Sequence, residues 1–177
     1  MKTFLIFSGL ALSTLTSFSQ KCSYDKDETD KFSGLIKRSI EQTMINNVGQ
    51  FAITDDRFMK KNALWLTIIR EGSNYALEAI CTRYNRKLEA IKNTDTMMVR
   101  VENGKIIKLS PQPYAPKFDT KGNTIYKLKY LLTQDEAIVL AESPTDVIRI
   151  KLDEIVDVET RGQRGEKFMK AVACILK

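Results

Sequence analysis

Asn103-Gly104 sits between two segments of alternating apolar residues, and no other feature constrains the fold as tightly. Both central positions of a two-residue hairpin turn need positive φ, which Asn and Gly accept and most residues resist. Before the turn Met97, Val99 and Val101 alternate with Met98 and Arg100; after it Lys105-Ile-Ile-Lys-Leu109 returns. The chain must double back on itself here as an antiparallel pair.

The same grammar recurs along the sequence. Residues 63–70, Ala-Leu-Trp-Leu-Thr-Ile-Ile-Arg, favour a strand, and Glu71-Gly72-Ser73-Asn74 supplies a turn. Beyond it, Leu77, Ile80, Cys81, Tyr84, Leu88 and Ile91 fit a helix by spacing, yet Tyr75, Leu77, Ala79 and Cys81 also alternate as a returning strand would. With a tight turn just before, the reading here is a strand over 75–82 followed by a loop. Residues 125–132 alternate Tyr126, Leu128 and Tyr130 with Lys127 and Lys129, a half-wet strand. Thr133 and Glu136 match a capping box that opens a helix running to about Ala141, which Pro144 ends. Residues 147–152 and 155–159 form another hairpin, Gly162 and Gly165 loosen the chain, and residues 166–176 make an amphipathic terminal helix. Earlier, Leu35 to Met44 reads as an edge strand, Asn46-Asn47-Val48-Gly49 as a turn, and residues 50–60 as ambiguous. Hairpins with few helices predict an α+β domain, an antiparallel sheet with one short helix and the C-terminal helix packed on it.

Residues 1–19 have a different character. Met1-Lys2 gives a charged start, residues 4–15 are apolar, interrupted only by small or hydroxyl residues, and Ser17 and Ser19 occupy the small positions that a signal peptidase reads. Cleavage after Ser19 would leave residues 20–177 as one domain with a polar N-terminal arm over 20–33. The apolar run is too short to span a bilayer, which takes about 20 residues, so the mature chain is expected to have no transmembrane segment. A lipoprotein anchor would need a Cys directly after a small residue, and Cys22 follows Lys21. The expected location is periplasmic or extracellular.

Export makes disulfides available to Cys22, Cys81 and Cys174. On the terminal helix Phe168, Val172, Ile175 and Leu176 share an apolar face, while Cys174 points toward the side of Lys167 and Lys170. That places Cys174 outside the core and open to oxidants, so it is expected to pair with Cys22, leaving Cys81 buried as a small hydrophobe.

The chain has no His, which removes Ser-His-Asp and Cys-His catalysis and His-ligated zinc. No glycine spacing matches a phosphate-binding loop, and no cofactor is implied. Asp25, Asp27, Glu28 and Asp30 partly match a calcium loop but lack its mid-loop Gly and distal Glu, so they read as a solvated arm and no metal is expected. A carboxylate pair for glycan hydrolysis would have to join Asp55 or Asp56 to Asp135 or Glu136, and Glu136 already serves the cap.

Binding is the reading that remains. Residues 110–124 carry Pro111, Pro113 and Pro116, which stiffen a long loop around Tyr114, Lys117, Phe118 and Lys121. Rigid aromatics beside cations suit contact with a protein or an anionic polymer, or fold back as a lid on the core. Lys127, Lys129, Arg149 and Lys151 would add a basic strip if their strands are neighbours. After cleavage, 27 Lys and Arg face 22 Asp and Glu, a net +5 with interleaved signs that does not call for nucleic acid.

Cys22-Ser-Tyr24, Asp30-x-Phe32-Ser-Gly34, the Val99 to Leu109 hairpin, Thr133 to Glu136, Ile148-Arg-Ile150, Lys167-Phe168-x-Lys170-Ala171 and Cys174-Ile175 occur here in that order. The pattern resembles a group of short exported Gram-negative bacterial proteins with no assigned function. The resemblance implies export and a hairpin-rich fold, and it assigns no catalytic or binding residue. The expected function is an exported, non-enzymatic binding or accessory module for a protein or anionic envelope polymer, with a carboxylate-dependent glycan hydrolase as the alternative.

Overall fold

A computed structural model of the chain describes residues 21–45, 63–84, 90–113, 115–118, 123–160 and 163–177. The leader over 1–19, the turn at Asn46 to Gly49 and the ambiguous stretch 50–60 lie outside these residues. The fold is α+β, as the hairpin pattern predicts, but its strands sort into two antiparallel sheets rather than one. The larger sheet contains β1 (Lys26–Thr29), β2 (Ile36–Ile45), β3 (Ala63–Glu71) and β4 (Asn74–Tyr84). It continues through β8 (Asn123–Leu132) to β7 (Lys117–Phe118), in the order β1-β2-β3-β4-β8-β7. The smaller one orders β10 (Ile155–Glu159), β9 (Thr145–Lys151), β5 (Met97–Val101) and β6 (Ile106–Leu109). Helix α1 (Gln134–Glu142) follows β8, and α2 (Gln163–Leu176) ends the chain.

The ambiguous segment after Gly72 is a strand: Tyr75 to Thr82 pair with Ala63 to Arg70, and the other edge of β4 takes Leu132 to Asn123 of β8. Helical spacing loses because a strand can use it twice, with Leu77, Ala79 and Cys81 buried inward and Glu78 and Ile80 on the wetter side. Alternation drives the smaller sheet too, since Met97, Val99, Val101, Ile148 and Ile150 are buried while Arg100 and Arg149 are exposed.

One expectation needs correction at the N-terminus. β2 is not an edge strand, because β1 pairs along it from Lys26↔Ser39 to Thr29↔Ile36. Residues 26–29 of the polar arm are therefore the sheet's edge, a short exposed strand of charged and hydroxyl residues, the kind of edge that resists pairing with a stray chain. The carboxylates of this segment are engaged locally: Asp27 accepts from Arg38 Nε at 3.0 Å, Asp25, just before the strand, from Glu41 N at 2.5 Å, and Glu28 meets Lys26 Nζ at 2.9 Å. Among the described residues no group of three or more His, Cys, Asp or Glu is placed to hold a metal ion.

Helix α2 packs against β2 and β3 of the larger sheet and β9 of the smaller, burying Phe168, Ala171, Val172 and Ile175. Full burial of side chains this size is worth about 1.5–3 kcal/mol each, so α2 is the keystone of the core. It begins at Gln163, three residues before the predicted start, and so takes Gly165 inside the helix. Its last turn has no basic residue of its own. Tyr24 Oη donates to the Cys174 carbonyl at 3.1 Å and Arg70 Nη1 to that of Ile175 at 3.4 Å, supplying donors that the helix end lacks.

The Cys22–Cys174 disulfide is present, with Cα atoms 5.6 Å apart, and Cys81 is buried outside it. Cys174 does lie on the helix side of Lys167 and Lys170, but it is only 3 % exposed. The strap that the bond ties down, Lys21 to Tyr24, is what covers it.

The capping box at the start of α1 is complete: Thr133 Oγ1 accepts from Glu136 N at 3.2 Å and Glu136 Oε2 from Thr133 N at 2.8 Å. Thr133→Ala is expected to cost about 1 kcal/mol and lower Tm by roughly 2–4 °C in a thermal melt. An unchanged Tm would mean that α1 does not depend on its cap. No helix among the described residues is long and apolar enough to cross a membrane.

Candidate binding surface

The described residues expected to bind fall on two sheets: Lys117 and Phe118 of β7 lie beside β8, which carries Lys127 and Lys129, and apart from β9. Lys127 and Lys129 stand on β8 of the larger sheet and Arg149 and Lys151 on β9 of the smaller, so the condition for a shared basic strip is not met. Lys127 Nζ lies 3.4 Å from Glu78, Lys151 Nζ donates to the Asp153 carbonyl at 3.3 Å, and Arg149 forks onto Asp157 with two bonds of 2.6 Å. The hydrogen bond from Arg149 holds the Asp157 carboxyl below its ordinary value. That pair therefore contributes fully above the unfolded carboxyl's value near ~3.9 and is lost as pH falls through the lower folded one. Of the long loop, Lys117 and Phe118 form β7 and pair with Ile125 and Thr124 at the sheet margin, whereas Tyr114 and Lys121 lie outside the described residues.

An exposed aromatic held by a rigid turn does occur, at a position the sequence reading passed over. Phe32 is 100 % exposed at the tip of the β1–β2 hairpin, with Leu35 at 50 % and Ile36 at 40 % beside it. These are three of the six exposed large hydrophobics among the described residues, gathered within five positions; the others, Ile106, Leu131 and Ile155, are scattered singly over both sheets. Single exposed apolar residues are ordinary, whereas a cluster is informative.

The tip is preorganised by one carboxylate. Asp30 Oδ1 accepts from Phe32 N at 3.0 Å, Ser33 N at 2.6 Å and Ser33 Oγ at 2.8 Å, and Gly34 N donates to the Asp30 carbonyl at 2.9 Å. Gly34 closes the turn at φ 70°, and Asp30 N returns to the Leu35 carbonyl at 2.9 Å. The bonds from Ser33, backbone first and then hydroxyl, followed by that from Phe32, hold the Asp30 carboxyl below its ordinary range, so the turn keeps its charged acceptor at neutral pH. A brace comes from the next turn along, where Gly72 N donates to the Ile36 carbonyl at 2.9 Å.

The available signal was Asp30-x-x-Ser33-Gly34, which reads as a turn; what it could not show is that the strand before it pairs and holds Phe32 in water. Comparison of the chain with protein families, with curated proteins and with solved structures finds no match to any of the three, so its function is read from its own residues.

Proposed function

We propose that this chain is an exported, non-enzymatic binding module that docks a protein partner through the hairpin tip of Phe32, Leu35 and Ile36. The observation that carries this reading is a fully exposed Phe fixed by an Asp-centred turn. Folding normally hides such a ring; here the chain spends a set of hydrogen bonds on presenting it. Preorganised apolar anchors lose little entropy on binding, and a Phe newly removed from water is worth about 2–3 kcal/mol. Export is supported by the apolar leader over 4–15 and is compatible with the Cys22–Cys174 bond. A hydrolase reading finds less support, since both partners of Glu136 Oε2 belong to Thr133 in the helix cap and Asp55 and Asp56 lie outside the described residues.

A photo-crosslinking side chain placed at position 32 in producing cells should give a discrete adduct, and the same probe at Lys108 should not. Phe32→Ala should weaken the captured partner's affinity at least tenfold while leaving Tm unchanged, because a ring that is exposed after folding contributes nothing to the core. Unchanged partner affinity in Phe32→Ala, or equal adducts from positions 32 and 108, would refute docking at the tip. Export is tested separately: the mature protein should begin at Gln20 by N-terminal sequencing.

A further inference from the structure

Beside the disulfide lies a groove of about 250 Å³ whose polar lining consists of Lys21 and Ser23 from the strap, Gln42 from β2, and Lys167 and Lys170 from α2. Ile40, Ala171 and Cys174 form its apolar floor. Three separate parts of the chain thus bring three ammonium groups, a hydroxyl and an amide to one concavity, and among the described residues no carboxylate lines it. A competitor stands beside it: Glu166, one turn back on α2, whose Oε2 is 3.7 Å from Lys170 Nζ. At that distance and with both groups half exposed, the ion pair is weak and readily given up to a better anion.

We infer that this groove binds closely spaced phosphate groups, such as those of a phosphate-bearing polymer or a lipid headgroup. Lysines at 167 and 170 are one helical turn apart on α2, so they present paired charges at a spacing that one multiply charged anion can bridge. Ser23 and Gln42 add directional donors to the non-directional ammonium charges. The Cys22–Cys174 bond completes the site: it pins Lys21 and Ser23 against α2, and without it one wall is free to leave. This site goes beyond the protein-docking tip, from which it is separated by about five residues of β2, or roughly 15 Å.

The test is calorimetric titration of the oxidised mature protein with inorganic tripolyphosphate, alongside sedimentation with phosphatidylglycerol vesicles. Lys167→Glu with Lys170→Glu should weaken tripolyphosphate binding at least tenfold, Lys167→Arg with Lys170→Arg should keep it, and Glu166→Gln should tighten it severalfold. Lys127→Glu with Lys129→Glu, the same charge change on β8, should alter it less than twofold, as should Phe32→Ala. Cys22→Ser should weaken it severalfold, and Lys21→Glu should do the same if the Ser variant folds poorly. Vesicle binding that needs Lys167 and Lys170 identifies a headgroup as the source; its absence beside intact tripolyphosphate binding identifies a soluble polymer. Absence of tripolyphosphate binding, or equal loss in the β8 variant, overturns the inference.

Discussion

Cys22→Ser is expected to lower the unfolding free energy by about 2–5 kcal/mol and Tm by roughly 5–15 °C, one of the two largest single-site effects in this molecule. The bond joins residues separated by 152 positions, so it closes nearly all of the described strands and helices into one loop. Chain-entropy arithmetic for a loop of that length gives an upper figure of about 5 kcal/mol, acting by restricting the unfolded ensemble. A second contribution comes from the folded state, where the strap covers Cys174 and its Tyr24 hydroxyl caps the end of α2. The two origins separate experimentally. Loss of cross-linking should raise the denaturant m-value, because a freed chain exposes more surface on unfolding, whereas Tyr24→Phe should cost only about 1 kcal/mol and leave m unchanged. Thiol titration of the unreduced, denatured protein should find one reactive cysteine, Cys81. Three reactive thiols, or a Cys22 to Cys81 peptide after digestion, would remove the bond on which this account rests.

What could be read in advance divides by the range of the interaction. The turn at Glu71 to Asn74, the capping box at Thr133 and the wet side of β8 depend on residues within a few positions of one another and are found where the chain signals them. The chain also doubles back at Asn103-Gly104, but through the three residues Glu102 to Gly104 rather than two, since Val101 N donates to the Lys105 carbonyl and Gly104 N to the Val101 carbonyl. The split into two sheets is set by pairings such as Ile80↔Lys127 and Val99↔Ile148, between strands more than 40 positions apart in chain order. Alternation fixes which face of a strand is buried but not which strand lies beside it, so Lys127 and Arg149 could be given a wet face without being placed in the same sheet. The N-terminal strand was hidden for another reason. Lys26-Asp-Glu-Thr29 is poor in β-favouring residues, and its pairing with β2 relies on the Arg38–Asp27 contact and on the strap's covalent tie. Missing that strand meant missing Phe32, whose exposure has meaning only on an ordered hairpin. Cys174 shows the opposite case: its direction on the helix was legible, but its burial was not, because the cover comes from residues 150 positions away.

Gly165→Ala is expected to cost about 3 kcal/mol or more and to lower Tm by roughly 6–12 °C, although Ala is the better helix former by about 1 kcal/mol. Gly165 is buried in the first turn of α2, and a Cβ built there would overlap the main-chain oxygen of Thr145, with the Thr145 carbonyl carbon and amide nitrogen only 3.1 and 3.2 Å away. A flexible side chain could yield; this backbone cannot do so cheaply. Thr145 opens β9, faces Val101 of β5 in the sheet, and its carbonyl accepts the hydroxyl of buried Thr160, which also bonds the Asp146 carbonyl at 3.0 Å. Relief must therefore come from moving α2, and α2 carries the buried Phe168, Val172 and Ile175 together with one half of the disulfide. Overpacking of a side-chain core costs about 1–3 kcal/mol, and a clash with paired main chain belongs at or above the top of that range. Gly104→Ala is the matched control: its φ of 87° makes an L-residue strained by about 1 kcal/mol, but nothing lies within 4 Å of the added carbon. The larger loss should thus fall on the glycine with ordinary φ. If Gly165→Ala instead melts at or above the parent temperature, α2 does not press its first turn onto β9, and the helix is not the element that joins the two sheets.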